Sequence, residues 1–248
     1  MISLEEHKIE TFSTGTRPEF LFNKKRLNLM KKNFSGKIQF DIGLESLDDN
    51  IRKYCLGKGP SFTTALFLKA IKTIKKEGFS FLSYILLGKP FLTIKEDIYD
   101  AVNSINFTVR NGGIVVVFMM NMQPHTLIHW LYKNGKYKIP SLWCAIKLLE
   151  MLKPSSRNKV WIKGIDKGSP FPIQFPSNCN ICTSIVHNCL VGWNFTHNYD
   201  IIKNILNCCD CREKWEELFT KSNRTPLKER VDRLIFEIAP VIQQGGCL

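Results

Sequence analysis

Apolar residues along the first two thirds of the chain follow two patterns, short continuous runs and repeats of three and four residues. The repeats predict helices at 17–33, 61–78 and 93–111, and Thr93 with Glu96 fits a helix-capping box. The continuous runs predict buried strands at 37–43, 79–87, 113–120 and 159–164. Because strands and helices alternate, we expect βαβ units in a parallel sheet or barrel.

The pattern changes after Pro124, where helical segments follow one another. They are predicted at 126–134, 141–152, 199–206, 212–220 and 226–236. A loop rich in Pro and Ser, 167–177, separates the last predicted strand from a cysteine-rich tail. The sequence therefore predicts an α/β domain at 1–166 and a smaller, mostly helical domain at 167–248.

Composition narrows the classes of protein that this chain fits. Of 248 residues 44% are apolar, enough for a sizeable core, and 35 Lys and Arg against 22 Asp and Glu give a net charge of +13. That excess favours a phosphate-rich partner such as nucleic acid, although a simply lysine-rich surface is the alternative. No apolar run approaches the roughly 20 residues that span a bilayer, and the opening segment does not resemble a signal peptide. We predict a cytoplasmic protein without a membrane partner.

Two cysteine pairs are the strongest chemical signal. Cys179 with Cys182, and Cys208 with Cys211, each have the CxxC spacing. In a reducing compartment such pairs more often bind metal than form disulfides, and four thiolates suit tetrahedral zinc. We predict a structural zinc at these four residues, with Cys209 competing with Cys208 for the fourth position. Reduced buried cysteines and an iron–sulfur cluster are the alternatives.

A second candidate site lies where the strand at 37–43 ends in glycine and is followed by Glu45 and Ser46. Residues at the carboxyl ends of barrel strands face the ligand, because the loops that follow the strands build the site. A carboxylate there suits a ribose or an ammonium group. The alternative is that Glu45 and Asp48 cap the next helix.

The segment Asp41–Gly59 (DIGLESLDDNIRKYCLGKG) resembles the fourth-strand motif of radical-SAM proteins, which use S-adenosylmethionine. The motif is shared by the Elongator catalytic-subunit group and by the radical-SAM subunit of archaeosine synthase. Residues 17–20 (RPEF) and 84–93 (YILLGKPFLT) resemble elements of the archaeosine-synthase group. Residues 121–143 and the paired cysteines before Trp215 resemble that group too, so the resemblance covers nearly the whole chain.

The resemblance implies the C-terminal part of a partial (β/α) barrel of radical-SAM type, followed by a small, mostly helical, cysteine-rich domain. It implies S-adenosylmethionine and a [4Fe–4S] cluster as cofactors and tRNA as substrate. The implied reaction is the lyase step of archaeosine synthesis, in which a 5′-deoxyadenosyl radical converts a lysine adduct on a tRNA deazaguanine to archaeosine. A lysine-transferring archaeosine synthase subunit is the implied partner.

The resemblance also implies roles for individual residues. Glu45 and Ser46 would meet the ribose or the amino group of the cofactor, and Lys58 would lie near its methionine carboxylate. Gly88 would let the backbone approach the adenosine. Two polar residues after the next strand would reach adenine or substrate: Asn121 and Gln123.

The chain departs from the family at its start. No three cysteines have the CxxxCxxC spacing that holds the catalytic cluster. The first two strands of the family, with the cluster loop, should precede Arg17 and are expected to be absent. Three explanations are open, namely a fragment, a separate chain that carries the missing N-terminal half, and a non-catalytic tRNA-binding or assembly module. A radical-SAM enzyme that acts on another tRNA position is a further alternative. An exposed sheet edge is expected where those strands belong.

Overall fold

The computed structural model describes residues 9–59, 61–166 and 172–243, with side chains as far as residue 239. Five parallel strands form one sheet in sequential order. They are β1 (Thr11–Thr16), β2 (Lys37–Glu45), β3 (Ser80–Leu87), β4 (Ile114–Met119) and β5 (Val160–Lys163). The four strands predicted from continuous apolar runs are confirmed.

Helices connect the strands and form the tail, and none in the described part of the chain is long and apolar enough to cross a membrane. A 3₁₀ helix at Pro18–Phe22 precedes the first of them. The α-helices are α1 (Lys24–Asn33), α2 (Asp49–Leu56), α3 (Thr64–Lys76), α4 (Ile94–Arg110), α5 (Leu127–Lys133), α6 (Trp143–Met151), α7 (Pro154–Arg157), α8 (Thr183–Thr196), α9 (Tyr199–Asn204), α10 (Cys211–Thr220) and α11 (Leu227–Gln243).

Strand β1, which no apolar run predicted, directly precedes Arg17. It pairs in parallel with β2, from Thr11 opposite Lys37 to Thr16 opposite Ile42. Its side chains alternate between exposed and half-buried, so it lacks the continuous apolar run of a central strand. Strand β1 lies at the edge of the sheet, and an edge was expected on this side.

The prediction of a single helix at 17–33 is wrong, because the segment forms a 3₁₀ helix followed by α1. The segment is divided at Asn23, whose side chain accepts a hydrogen bond from the backbone N–H of Arg26 and so begins α1. The capping box predicted at Thr93 is confirmed, because Thr93 and Glu96 bond each other's backbone N–H groups at the start of α4. Helix α8 was not predicted, because its β-branched residues, cysteine and histidine obscure the helical repeat.

The two faces of the sheet differ in polarity. On one face Phe40, Ile42 and their neighbours are buried beneath the helices. The other face is only half-buried at β2 and carries a polar network, in which Ser13 Oγ and Gln39 Nε2 donate to Asp41 Oδ1 at 2.7 and 3.0 Å. A sheet with one apolar and one polar face fits the wall of a barrel whose interior receives a ligand.

A buried ion cluster joins α4 to the end of β3. Lys89 Nζ lies 2.7 Å from Asp97 Oδ1 and 3.1 Å from Asp100 Oδ2, and it donates to the Leu86 carbonyl at 2.6 Å. Burial alone would lower the pKa of Lys89, but the two carboxylates outweigh it and raise that pKa. Burial raises the pKa of Asp100, although the Lys89 cation and the hydrogen bond from the Ser46 hydroxyl both act to lower it.

The tail covers the opposite sheet edge. Asn194 of α8 pairs with Ile162 of β5, accepting from its N–H at 2.7 Å and donating to its carbonyl at 2.6 Å. Trp193 donates to the Val160 carbonyl at 3.1 Å and is fully buried. The Asn194 amide therefore hydrogen-bonds the backbone N–H and carbonyl of Ile162 with which a further strand would otherwise pair. The domain boundary at 166/167 stays a prediction, and part of the predicted loop 167–177 lies outside the described residues.

A substitution at Gly164, directly after β5, measures how closely the strands pack at their carboxyl ends. The φ of Gly164 is +80°, and an added Cβ would lie 2.4 Å from the Met119 carbonyl oxygen. Gly135 has a similar φ, +68°, with nothing within 4 Å of its Cβ position. We expect Gly135→Ala to cost about 1 kcal/mol from backbone strain and Gly164→Ala about 3 kcal/mol from strain plus collision. Equal losses in urea unfolding would argue against this close packing.

Candidate functional site

A pair of opposite charges lies at the carboxyl end of β2. Lys58 Nζ is 2.9 Å from Glu45 Oε1 and donates to the Gly43 carbonyl at 3.1 Å. Glu45 has a φ of +66°, at an irregularity in the pairing of β2 with β3. Gly57 ends α2 with a φ of +63° and turns the chain so that Lys58 returns to the strand end.

A cavity of about 420 Å³ adjoins this charge pair. Its lining combines the ends of β1 and β2 with the loop after α2, and includes Arg17, Gly43, Lys58 and Phe62. A Cβ on Gly43 would lie 2.5 Å from Glu45 Oε1, so the carboxylate approaches the backbone closely. A carboxylate beside two cations suits a zwitterionic ligand, such as the methionine part of S-adenosylmethionine. The residues present therefore fit that cofactor.

Ser46 points away from this cavity. Its side chain is fully buried, and its hydroxyl donates to Asp100 Oδ1 at 2.7 Å. The Ser46 carbonyl accepts a hydrogen bond from Arg52, which also pairs with Asp49. Ser46 therefore joins the loop after β2 to α4, and its role at the cofactor stays a prediction.

Gly88 directly follows β3, at the same end of the sheet as Glu45. Its N–H donates to Asp97 Oδ2 at 2.6 Å, and its carbonyl accepts from the Tyr137 hydroxyl at 2.7 Å. With a φ of +100°, a Cβ here would lie 2.6 Å from Pro140 Cγ. The described contacts therefore require glycine for packing against Pro140, and an approach to adenosine stays a prediction.

Asn121 and Gln123 follow β4 and are half-buried. Gln123 Nε2 donates to Asn121 Oδ1 at 2.9 Å, so the two amides lie together at the same end of the sheet as Glu45. Met122 between them exchanges backbone hydrogen bonds with the segment before the cysteines, donating to the Gln174 carbonyl at 2.9 Å. The tail is thereby fixed across the end of β4.

Four cysteines of the tail form a compact cluster. The Sγ atoms of Cys179, Cys182, Cys209 and Cys211 all lie within 4.8 Å of one another. Three of the separations are 3.5, 3.4 and 3.2 Å. Zn–S bonds of about 2.3 Å in a tetrahedron place the sulfurs about 3.8 Å apart. The cluster is therefore compact enough for one tetrahedral ion, and the identity of the metal stays a prediction.

The cluster contains Cys209, the competing candidate, in place of Cys208, and the identity of the fourth ligand stays a prediction. The backbone N–H of Cys208 bonds the Ile205 carbonyl at 3.1 Å as the chain turns after α9. That turn directs Cys209 toward Cys179, with Cys211 at the first position of α10. The second pair therefore has C-x-C rather than CxxC spacing.

The surroundings of the cluster suit thiolates. Trp143 Nε1 donates to Cys211 Sγ at 3.3 Å, and the sulfurs of Cys182 and Cys211 lie at the N-terminal ends of α8 and α10. Backbone hydrogen bonding at Cys182, followed by the Cys209 thiol, lowers the pKa of Cys179 to about 6. Burial raises the pKa of Cys182. The indole, backbone and helix-terminus donors thus favour thiolates in the cluster, whereas burial opposes ionisation at Cys182.

A [4Fe–4S] cluster of radical-SAM type does not fit the described residues. No triplet has CxxxCxxC spacing, and the cysteines that do cluster lie in the tail. Cys55, on α2, is buried, and burial raises its pKa to about 12.

Comparison with known proteins gives a consistent result. No family model matches. Archaeosine synthase subunit beta of Methanosarcina acetivorans is 26% identical over 215 residues, covering 86% of this chain and 60% of that protein. The subunit beta of Thermococcus kodakarensis is 27% identical over 177 residues, covering 71% and 52%. Methanocaldococcus infernus Elp3 with an N-terminal deletion superposes with a TM-score of 0.52 at 17% identity, covering 75% of this chain and 41% of that one.

The fold is α/β, with five parallel strands in one sheet and a cysteine-rich C-terminal region, and it is similar to that of the Elp3 structure, which confirms the predicted fold class. The particular similarity is to archaeosine synthase subunit beta, and the predicted resemblance is confirmed over most of the chain. The chain spans between 52% and 60% of the length of these two relatives.

Proposed function

We propose that this chain belongs to a radical-SAM enzyme that modifies tRNA, of the archaeosine synthase beta type. The observation that carries the proposal is similarity to archaeosine synthase subunit beta over 86% of the chain. The substrate would be a tRNA deazaguanine that carries a lysine adduct, converted to archaeosine in concert with a lysine-transferring subunit. A net charge of +13 suits a polyanionic substrate.

The proposed cofactor site is the cavity beside Glu45 and Lys58. The Lys58 ammonium would bind the methionine carboxylate, and Glu45 would accept from the amino group or a ribose hydroxyl. When bound, S-adenosylmethionine together with a reduced cluster would supply the radical chemistry. Asn121 and Gln123, at the same sheet end, would orient adenine or substrate through their amides.

The proposed role of the cysteine cluster is structural. A zinc ion there would tie the starts of α8 and α10 together and, through Trp143, hold both against α6. That arrangement would fix the tail beside the carboxyl ends of the strands.

Binding of S-adenosylmethionine tests the cofactor site. We expect Lys58→Ala to weaken binding about tenfold, roughly 1.4 kcal/mol, because the carboxylate loses its cation. Lys53→Ala is the matched control, since Lys53 is exposed on α2 and does not line the cavity. Isothermal titration calorimetry of the anaerobically purified chain measures both. Failure of the wild-type chain to bind, or equal weakening by the two variants, would contradict the assignment.

A non-catalytic tRNA-binding module is the second candidate, favoured by the missing CxxxCxxC triplet. Such a module would bind tRNA with its polar sheet face and basic surface, but would take up no S-adenosylmethionine. The same titration, repeated with tRNA, separates the two functions. Binding of tRNA without the cofactor supports the module, and binding of both supports the enzyme.

A further inference from the structure

A second cavity, of about 490 Å³, lies between the β3–α4 loop, the connection from α5 to α6, and helices α10 and α11. None of the residues that line the cavity beside Lys58 lines this one. Its volume falls within the roughly 300 to 1,000 Å³ typical of small-molecule sites. Apart from Gly88, which the resemblance assigns to adenosine, its lining contains no residue of the cofactor and metal sites described above.

The walls of this cavity are largely apolar and aromatic. Phe91, Pro140, Trp215 and Leu218 contribute to them, with Tyr137 alongside. The Tyr137 hydroxyl already bonds the Gly88 carbonyl, so the phenol ring rather than its hydroxyl is available. Phe91 holds a φ of +68°, a conformation uncommon for a non-glycine residue. Flat, apolar walls of this kind suit a planar ring.

The charged groups of the cavity leave an excess of positive charge. Asp97 is neutralised by Lys89, and Arg230 forms a bidentate pair with Glu96. Lys138 and Lys221, both exposed at the mouth, have no carboxylate partner in the described part of the chain. Two free ammonium groups beside an apolar slot favour a ligand with an anionic group.

Two buried atoms of the cavity residues are donors without an oxygen acceptor among the described residues. Arg230 Nε has no hydrogen-bond partner among the described residues. The buried Trp215 indole N–H has no oxygen acceptor there and lies beside the Cys144 thiol, a weak acceptor. Buried donors without acceptors favour a ligand rich in ring nitrogen and carbonyl acceptors.

We propose that this cavity binds a nucleoside monophosphate unit, with the base against the Trp215 and Pro140 wall and the phosphate between Lys138 and Lys221. The unit could be a free nucleotide or an unpaired nucleotide of an RNA chain, since both present the same base and phosphate. The site goes beyond the proposed function, because neither the cofactor pair nor the cysteine cluster uses these residues.

The test titrates the full chain with each of the four ribonucleoside monophosphates, with an unstructured RNA oligonucleotide, and with inorganic phosphate. Leu218→Trp fills the slot, and the Lys138→Glu/Lys221→Glu double variant reverses the charge at its mouth. Leu218 is 45% exposed, so the larger ring is tolerated by the fold. Ile235→Trp, at a residue 58% exposed, and Lys133→Glu/Lys214→Glu are the matched controls.

We expect saturable binding of a monophosphate or of the RNA, weakened at least tenfold by both cavity variants and unchanged by the controls. Inorganic phosphate should bind at least tenfold more weakly, because it makes no contact with the wall. Binding of monophosphates assigns a free nucleotide, and binding of the RNA alone assigns an unpaired RNA nucleotide. No binding at all, equal weakening by cavity and control variants, or equal binding of phosphate would overturn the proposal. The Lys58 titration with S-adenosylmethionine is independent of each outcome.

Discussion

Replacing Cys209 with serine is expected to abolish stoichiometric zinc binding, whereas replacing Cys208 with serine should leave it intact. The two residues are adjacent in sequence, but only Cys209 has its sulfur within the cluster of Cys179, Cys182 and Cys211. Structural zinc sites contribute apparent binding energies of about 10 to 16 kcal/mol in small peptides, so loss of one thiolate should also destabilise the tail. Zinc per chain by elemental analysis, with a thermal melt of each variant, gives the comparison.

Cys208→Ser controls for the loss of a thiol and for the changed backbone preference at the turn after α9. Cys208 is half-buried and its sulfur lies outside the cluster, so its replacement by serine should affect packing only slightly. If Cys209→Ser retains zinc and Cys208→Ser loses it, the fourth ligand is Cys208, and the second pair has CxxC spacing. Iron and sulfide in place of zinc in the wild-type chain would contradict the mononuclear site.

Lys89→Met is expected to destabilise the fold by about 3 to 5 kcal/mol, because it leaves two carboxylates buried without their cation. The Lys89 side chain is fully buried between Asp97 and Asp100, which are themselves 7% and 6% exposed. Urea unfolding followed by circular dichroism measures the loss. Lys95→Met is the control on α4, the helix of Asp97 and Asp100, since Lys95 is exposed and forms no ion pair among the described residues.

The pH dependence of this loss follows from the directions of the two pKa shifts. The pKa of Lys89 is raised in the folded state, so its contribution is fully present below its unfolded value near 10.4 and is lost only as pH rises through the folded value. Burial raises the pKa of Asp100, so the folded variant takes up a proton before the unfolded chain does as pH falls. The deficit of Lys89→Met should therefore shrink toward pH 4. A deficit that grows on acidification would contradict the buried-charge explanation.

Local sequence signals predicted the central strands and α4 well, because their causes are local. The run from Ile114 to Met119 is apolar since the strand is central, and Thr93 with Glu96 forms a cap within four residues. Strand β1 was missed because an edge strand with half-exposed, threonine-rich positions carries little hydrophobic signal. Its alternating pattern was the one indication available.

The sites depend more on tertiary contacts. Sequence reasoning singled out Glu45 and Lys58 separately, but their contact relies on the turn at Gly57. The partner that buries Ser46, Asp100, lies 54 residues away and has no sequence signature. The sequence could not distinguish Cys208 from Cys209, because the direction of the chain after α9 decides which sulfur lies in the cluster. The second cavity combines three distant segments, so no local pattern could have indicated it.

The most direct test of the central claim is mass spectrometry of tRNA nucleosides from source cells that lack this chain. The proposed function predicts that archaeosine disappears, that the lysine adduct of the deazaguanine accumulates, and that the wild-type gene restores archaeosine. A Lys58→Ala gene should restore it less than a Lys53→Ala gene. Unchanged archaeosine in cells without the chain would contradict the account.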